Sequence, residues 1–524
     1  MSFPLLTATA VLPAVGAIAT AAVPAKQRTA AKWLALLFSA ATLVLAAVVA
    51  VRFDPGGGRF QLTESHAWIA DFGVRYELGV DGIGVALIAL TALLIPFVIL
   101  AGWHDADPQE TGNTRWRPTQ GFFALILLVE AMVIISFAAT DVFVFYIFFE
   151  AMLIPMYFLI GGFGDRAGPH GEKEAATQRS YAAVKFLLYN LVGGLIMLAA
   201  VIGLYVVAGT FSLSEIAEAR ASGSLDMATN TERLLFLGFF FAFAVKAPLW
   251  PLHTWLPNAM GEATTPVAVL ITAVVDKVGT FAMLRFCLQL FPEASKWATP
   301  AILVLALISI VYGALVAVGQ RDIKRLIAYA SISHFGFIIM GIFAMTSQGQ
   351  SGATLYMVNH GISTAALMLV AGFLISRRGS RLITDYGGVQ KVAPVLAGTF
   401  LIGSLATLSL PGLAPFVSEF LVLVGTFTRY PVIGIIATFG IVLAALYTLV
   451  LYQRTMTGPV KPSTQGIADL RVRELAVVVP LIGVLIFLGV YPKPLTELVN
   501  PAVKHTLSDV HKKDPKPEVE AAHK

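Results

Sequence analysis

Apolar runs long enough to cross a bilayer recur from one end of the sequence to the other. A spanning helix needs about 20 mainly apolar residues. Stretches such as 181–207, YAAVKFLLYNLVGGLIMLAAVIGLYVV, provide them with one lysine near the start. Fourteen spans can be set out, near 3–23, 33–51, 79–102, 120–138, 141–160, 181–207, 234–256, 263–290, 299–318, 326–346, 353–376, 394–428, 432–453 and 474–491. Hydrocarbon offers backbone N–H and C=O groups no partner, so each span must satisfy its own. The expected fold class is therefore all-α, a polytopic membrane protein of 14 transmembrane helices. A hydrophobic share of 57% against 13% charged residues excludes a soluble globular domain. The first span ends in small residues, as a signal peptide does. No Lys or Arg precedes Lys26, however, so it reads as a retained helix.

The formal charge of +5 does not point to nucleic acid, because the basic residues sit in short loops between apolar spans. They cluster on one side: Lys26, Arg28 and Lys32; Arg115 and Arg117; Arg166, Lys173 and Arg179; Arg321, Lys324 and Arg325; Arg377, Arg378, Arg381 and Lys391; Arg454, Lys461, Arg471 and Arg473. The opposite loops carry fewer, among them Arg52, Arg59, Arg75 and Arg220. The positive-inside rule then puts both termini on the non-cytoplasmic side. The tail from Pro492, ending KKDPKPEVEAAHK, reads as a solvated extension. A single cysteine, Cys287, rules out an internal disulfide and an iron–sulfur cluster held by this chain alone. No phosphate-binding glycine motif follows a plausible strand.

Against this background a few ionisable residues stand far inside their spans. Lys246 lies twelve residues into the seventh span, roughly 18 Å at 1.5 Å per residue, and Glu150 is about 13 Å past Asp141. Lys277 is near the middle of span eight, His334 and His360 lie within spans ten and eleven, and Glu419 follows Pro411 and Pro415 in span twelve. Six such groups facing lipid would cost on the order of 15–20 kcal/mol, more than a typical net stability. They are expected to face one another or water, in a polar layer across the bundle. The prolines agree: Pro248 and Pro251 beside Lys246, like Pro411 and Pro415 beside Glu419, free backbone carbonyls that only a polar cavity tolerates.

Broken helices in matching positions of two halves mark midplane ion sites in inverted-repeat transporters. Spans seven and twelve are five apart. This suggests two inverted five-helix repeats, 120–290 and 299–453, preceded by three helices in 1–119 and followed by a last helix in 454–491 and a tail in 492–524.

Blander readings exist for single residues. Glu150 and Lys246 alone make a static ion pair, but that leaves the other four unexplained. Glu130, amid LLVEAMV, has no visible partner; Lys185 stands near a helix end, where its chain can snorkel. Asp276 points about 100° away from Lys277 on a helix, so it is expected to pair elsewhere. Neither histidine has the companions a metal site needs.

The stretches YELGVDGIGVALIALT, DVFVFYIFFEAMLIPMYFLIGGFG, AAVKFLLYNLVGGLIML, VKAPLWPLHTWLP, QRDIKRLIAYASISHFGF, NHGISTAALMLVAGF and PGLAPFVSEF resemble the antiporter-like membrane subunits of respiratory complex I, NADH–quinone oxidoreductase, over most of residues 75–430. Glu419, where the L and N branches have lysine, and a chain that stops after span fourteen resemble the subunit M branch. The resemblance implies a proton-translocating subunit of a bacterial plasma-membrane pump. It implies no redox centre on this chain, with FMN, iron–sulfur clusters and quinone on partner subunits and with L and N as membrane neighbours. It assigns Glu150 and Lys246 as an interacting pair, Lys277 as the connecting lysine, His334 and His360 as the central relay and Glu419 as the residue near the exit; Lys185 matches the lysine of the sixth helix. Two departures stand out: Asn258-Ala259-Met260 replaces the usual Asp-Ala-His, and Asp276 replaces an apolar residue. Two related functions stay open, a subunit of a multi-chain sodium/proton antiporter and a membrane subunit of an energy-converting hydrogenase.

Overall fold

The computed structural model describes residues 3–107, 119–164 and 172–515. Among these, twelve helices are long and apolar enough to cross a membrane. The other two expected spans are the proline-broken ones. The seventh is α9 (Thr229–Lys246) followed by an irregular turn and α10 (Leu256–Glu262); the twelfth is α16 (Pro394–Thr407) and α17 (Ala414–Phe427). Arg115, Arg117 and Arg166 lie outside the described residues.

The chain opens with α1 (Leu5–Ala22) and α2 (Arg28–Arg52). A two-stranded antiparallel hairpin, β1 (Gln61–Ile69) and β2 (Val74–Val80), then leads into α3 (Gly82–Ala101), whose N-terminus is capped by Asp81. Next come α4 (Thr119–Ala138), α5 (Val142–Ala151) running into α6 (Leu153–Phe163), and α7 (Glu172–Ala208). A short helix, α8 (Leu213–Ala221), precedes α9 and α10. The eighth span, Thr265–Leu288, runs from α11 (Thr265–Val269) through a π-helical turn at Leu270–Val275 into α12 (Asp276–Ala282) and ends in a second π turn at Met283–Leu288. The second half contains α13 (Pro292–Val318), α14 (Ile323–Phe343), α15 (Ser347–Arg378), α16, α17 and α18 (Pro431–Met456), and the chain closes with α19 (Val472–Val490) and α20 (Lys493–Asp509). Span eight, α14 and α15 are almost wholly buried. In contrast α2, α18 and α19 leave most of their apolar surface open, as lipid-facing helices must.

The halves repeat in backbone detail. Asp141 caps α5 by accepting the N–H groups of Phe143 and Val144, and Asp322 caps α14 by accepting those of Lys324 and Arg325. Each aspartate also bridges to the segment after the next long helix, Asp141 to Ser212 and Asp322 to Leu382. Those long helices, α7 and α15, both end at a left-handed glycine, Gly209 and Gly379, each at φ 72°. The fourth member of each set is the broken one.

The solvated tail expected from Pro492 is corrected. The apolar period Leu495, Leu498, Val499, Ala502, Val503, Leu507 makes α20 amphipathic, and it packs on α3 and α15 with Val499 and Val503 fully buried. Arg59 clamps it with paired hydrogen bonds to Asp509, at 3.0 and 2.6 Å. Gly82 permits the contact, since a Cβ there would lie 1.8 Å from the carbonyl oxygen of Leu498. Gly82→Val is therefore expected to lift α20 off the bundle, seen as faster limited proteolysis within 492–509; unchanged cleavage would contradict this packing.

Candidate proton-transfer axis

Lys246 is the last residue of α9, at the negative end of the helix dipole, where a cation is favoured. Pro248 and Pro251 lack N–H groups, so the helix cannot continue. Val245 offers its carbonyl to Trp255 Nε1 at 2.9 Å, and the Trp250 amide donates to Ser309 Oγ. Lys246 is buried. Its ammonium donates to the carbonyl of Phe149 at 2.7 Å and sits 3.6 Å from the centroid of the Phe149 ring. Glu150, the next residue, is within electrostatic reach of Lys246, and its Oε1 has no hydrogen-bond partner. Span five is itself distorted here. Pro155 removes the N–H that would meet the Ala151 carbonyl, and α5 gives way to α6 at Met152, a break the sequence reading did not anticipate.

The Glu150 carboxyl rests on α7 at Gly194, where an added Cβ would lie 2.0 Å from Oε1. Gly194→Ala should displace this flexible carboxylate without disturbing backbone. Its expected signature is impaired proton transport in a normally assembled complex, and wild-type transport would show that the position of Glu150 does not matter.

On the far side of Lys246 the groups follow closely. Lys277 Nζ lies 2.6 Å from His360 Nδ1, donates to the Thr272 carbonyl at 3.1 Å and stands over the Phe335 ring at 4.1 Å. That carbonyl belongs to the π turn, whose wider winding loosens the helix ladder just before Asp276 and Lys277. His360 and His334 face each other edge to face with ring centroids 5.2 Å apart. His334 lies against the backbone of Thr407, where α16 ends, and its Nε2 is 3.4 Å from the Tyr447 hydroxyl. Tyr356, four residues before His360 and so on the same face of α15, donates its hydroxyl to Glu419 Oε2 at 3.1 Å; Ser409 Oγ donates to the same oxygen. Ser409 sits in the break with φ 61°, a left-handed backbone rare for a residue with a Cβ. Asn359 Nδ2, beside His360, donates to the carbonyl of Ala414 at 2.9 Å, at the start of α17.

The structure thus brings Lys246, Lys277, His360, His334 and Glu419 into one buried file, with half-buried Glu150 at its end. Three members were missed by sequence: Tyr356, Tyr447 and Ser409. Two hydroxyls grip the same oxygen of Glu419, so Tyr356→Phe and Ser409→Ala together are expected to slow transport by more than the sum of their separate effects. A double-mutant cycle checks this, and strict additivity would show that they act independently.

Two candidates stand aside. Lys185 Nζ donates to Asn258 Oδ1 at 3.1 Å and lies between Tyr181 and Tyr189. Glu130 is fully buried with neither carboxyl oxygen partnered. Asp276, expected to pair elsewhere, has no hydrogen-bond partner and is fully buried. His253, in the turn after α9, is buried with both ring nitrogens unpartnered. Among the described residues no group of three His, Cys, Asp or Glu is placed to hold a metal.

A buried file of lysines, histidines and carboxylates threaded between two broken helices defines a membrane ion-translocating subunit. The chain belongs to the family described as NADH:quinone oxidoreductase/Mrp antiporter, TM, which matches residues 139–444. It is 54% identical to NADH-quinone oxidoreductase subunit M of Mycobacterium tuberculosis, over 98% of this chain and 96% of the relative, and belongs with the subunit M proteins. A chain of Thermus thermophilus respiratory complex I superposes with a TM-score of 0.84 and 30% identity, covering 96% of this chain and 99% of that one. A chain of the Mrp complex from a Dietzia species shares the fold, with a TM-score of 0.80 at 20% identity, over 98% and 100%.

Proposed function

We propose that this chain is the proton-pumping M subunit of a bacterial NADH:quinone oxidoreductase, a translocase that carries no redox centre of its own. Flavin, iron–sulfur clusters and quinone then belong to partner subunits, and L-type and N-type antiporter-like subunits are its membrane neighbours. Asymmetry of the basic loops supports a plasma-membrane orientation with both termini on the non-cytoplasmic side. The observation that carries the reading is the buried chain of contacts from Lys277 through His360, His334 and Tyr356 to Glu419, with Lys246 at the end of the helix that crosses beside it, because ionisable groups buried in lipid-spanning helices are costly and mark proton paths.

Glu150 favours the charged form of Lys246 while the two are close. When a charge or conformational change in a neighbouring subunit weakens that influence, Lys246 releases its proton. The proton then reaches Lys277, crosses His360 and His334, and is held at Glu419 between Tyr356 and Ser409. Histidine suits the centre because one ring nitrogen can take up a proton while the other gives one up. Glutamate rather than lysine at 419 favours this reading over a sodium/proton antiporter.

The test is Glu419→Gln in the assembled complex in sealed vesicles, with NADH oxidation and acidification of the lumen followed together. The expected result is fewer protons moved per NADH. Wild-type stoichiometry at wild-type turnover would remove Glu419 from the path.

A further inference from the structure

We propose that Asp276 carries the proton between Lys246 and Lys277 and serves as a second counter-ion for Lys246, alternating with Glu150. The inference rests on the proton-translocating reading above and adds a residue to it.

Asp276 opens α12, is fully buried, and has no hydrogen-bond partner at either carboxyl oxygen. A carboxylate so placed is expensive unless something charged approaches it. Two lysines are within electrostatic reach: Lys277 beside it and Lys246 on α9. The helix crossing aims it at the second. Gly279, three residues on and therefore nearly on the same face, lies so close to α9 that an added Cβ would sit 2.9 Å from both Ala247 N and the Phe243 carbonyl oxygen. The face bearing Asp276 is thus pressed against the end of α9, which Lys246 closes. The π turn at Leu270–Val275 precedes this residue directly.

Lys246 is free to change partner. It has three donors, one of which goes to the Phe149 carbonyl while the ammonium stands over the Phe149 ring. Its charge interacts with both Glu150 and Asp276, which lie on different elements. The transfer balances simply. An N–H bond of the Lys246 ammonium breaks as an O–H bond forms on the Asp276 carboxylate, leaving a neutral amine and a neutral acid. That O–H then breaks as the neutral amine of Lys277 takes the proton, which restores the carboxylate. Lys277 passes its proton to His360 Nδ1, 2.6 Å away.

Asp276→Asn keeps size and removes the exchangeable acid; Asp276→Glu keeps the acid. Proton transfer by a positioned group contributes about 100-fold or more. Asp276→Asn in the assembled complex is thus expected to slow vesicle acidification by at least about tenfold, and Asp276→Glu to restore most of it. Infrared difference spectra during turnover should show a carboxylic-acid C=O band that is lost in Asp276→Asn and shifted in Asp276→Glu, which a purely structural aspartate would not produce. Should Asp276→Asn fail to assemble, the shifted band in Asp276→Glu decides alone, and its absence overturns the proposal. Lys246→Ala, in the same vesicles, separates the two readings. If it blocks pumping while Asp276→Asn pumps normally, Asp276 is not a carrier and the axis stands. If neither variant changes pumping, the axis itself is wrong.

Discussion

Lys246→Ala is expected to abolish proton translocation through this chain while the complex still assembles, with NADH oxidation either falling in step or continuing with fewer protons moved. Alanine leaves the broken helix intact, because Pro248 and Pro251, not Lys246, end α9. Val245 and Trp255 still make their hydrogen bond across the turn. What disappears is the basic group whose charge interacts with both Glu150 and Asp276. A proton would then have to cross from Glu150 to α12 without a carrier. Losing even about 1.4 kcal/mol of stabilisation slows a step tenfold, and a missing carrier costs far more than that. Lys246→Arg gives the counterpart. It keeps the charge but hardly ever releases its proton, so it should assemble as well as the native chain and still fail to pump. Measuring acidification and NADH oxidation in the same vesicles checks both variants. If arginine pumped normally, Lys246 would serve as a fixed charge and the relay as described would be wrong.

How much of this could be read from the sequence differs from residue to residue. Depth along an apolar run is a strong signal, since lipid penalises each charge, and it located Lys246, Lys277 and Glu419. All three are buried inside the bundle. Proline marked both fully broken spans for the same reason: a missing N–H has few uses inside lipid. Tyr356 and Tyr447 escaped because tyrosine is ordinary in membrane helices and carries no cost that exposes it. Spacing held the clue for Tyr356, one turn before His360 on α15. Ser409 was invisible, because a serine two residues before Pro411 reads as a turn residue until Glu419 is seen against it. Asp276 was noticed, but not what it faces. Its offset from Lys277 on a regular helix sends it elsewhere, but its direction depends on a crossing between α12 and α9 that no single-sequence pattern encodes. The hairpin at 61–80 and the docking of α20 were likewise obscured by charge and proline, which outweighed weak alternation in the first and a clear 3.6-residue period in the second.

That crossing supplies the second large effect. Gly279→Val should prevent span eight from meeting α9 and so cut the file in the middle. The atoms an added Cβ would meet are Ala247 N and the Phe243 carbonyl oxygen, each at 2.9 Å, with Ala247 Cβ at 3.0 Å. These are mostly backbone atoms of a packed helix end, which cannot turn aside as a long side chain can. Overpacking of this kind costs about 1–3 kcal/mol or more, enough to shift α12 together with Asp276 and Lys277. Gly398→Val is the matched control: Gly398 also lies within a helix, α16, but has no atom within 4 Å of an added Cβ. The expected pattern is weak assembly or absent pumping for Gly279→Val, partial loss for Gly279→Ala and near-native behaviour for Gly398→Val. The graded loss follows from geometry, since alanine adds only the Cβ while valine adds two methyl groups beyond it. Native electrophoresis of detergent extracts and vesicle acidification together read the outcome. If Gly279→Val assembled and pumped like the native chain, α12 and α9 would not cross in contact, and the route from Lys246 to Lys277 would have to run elsewhere.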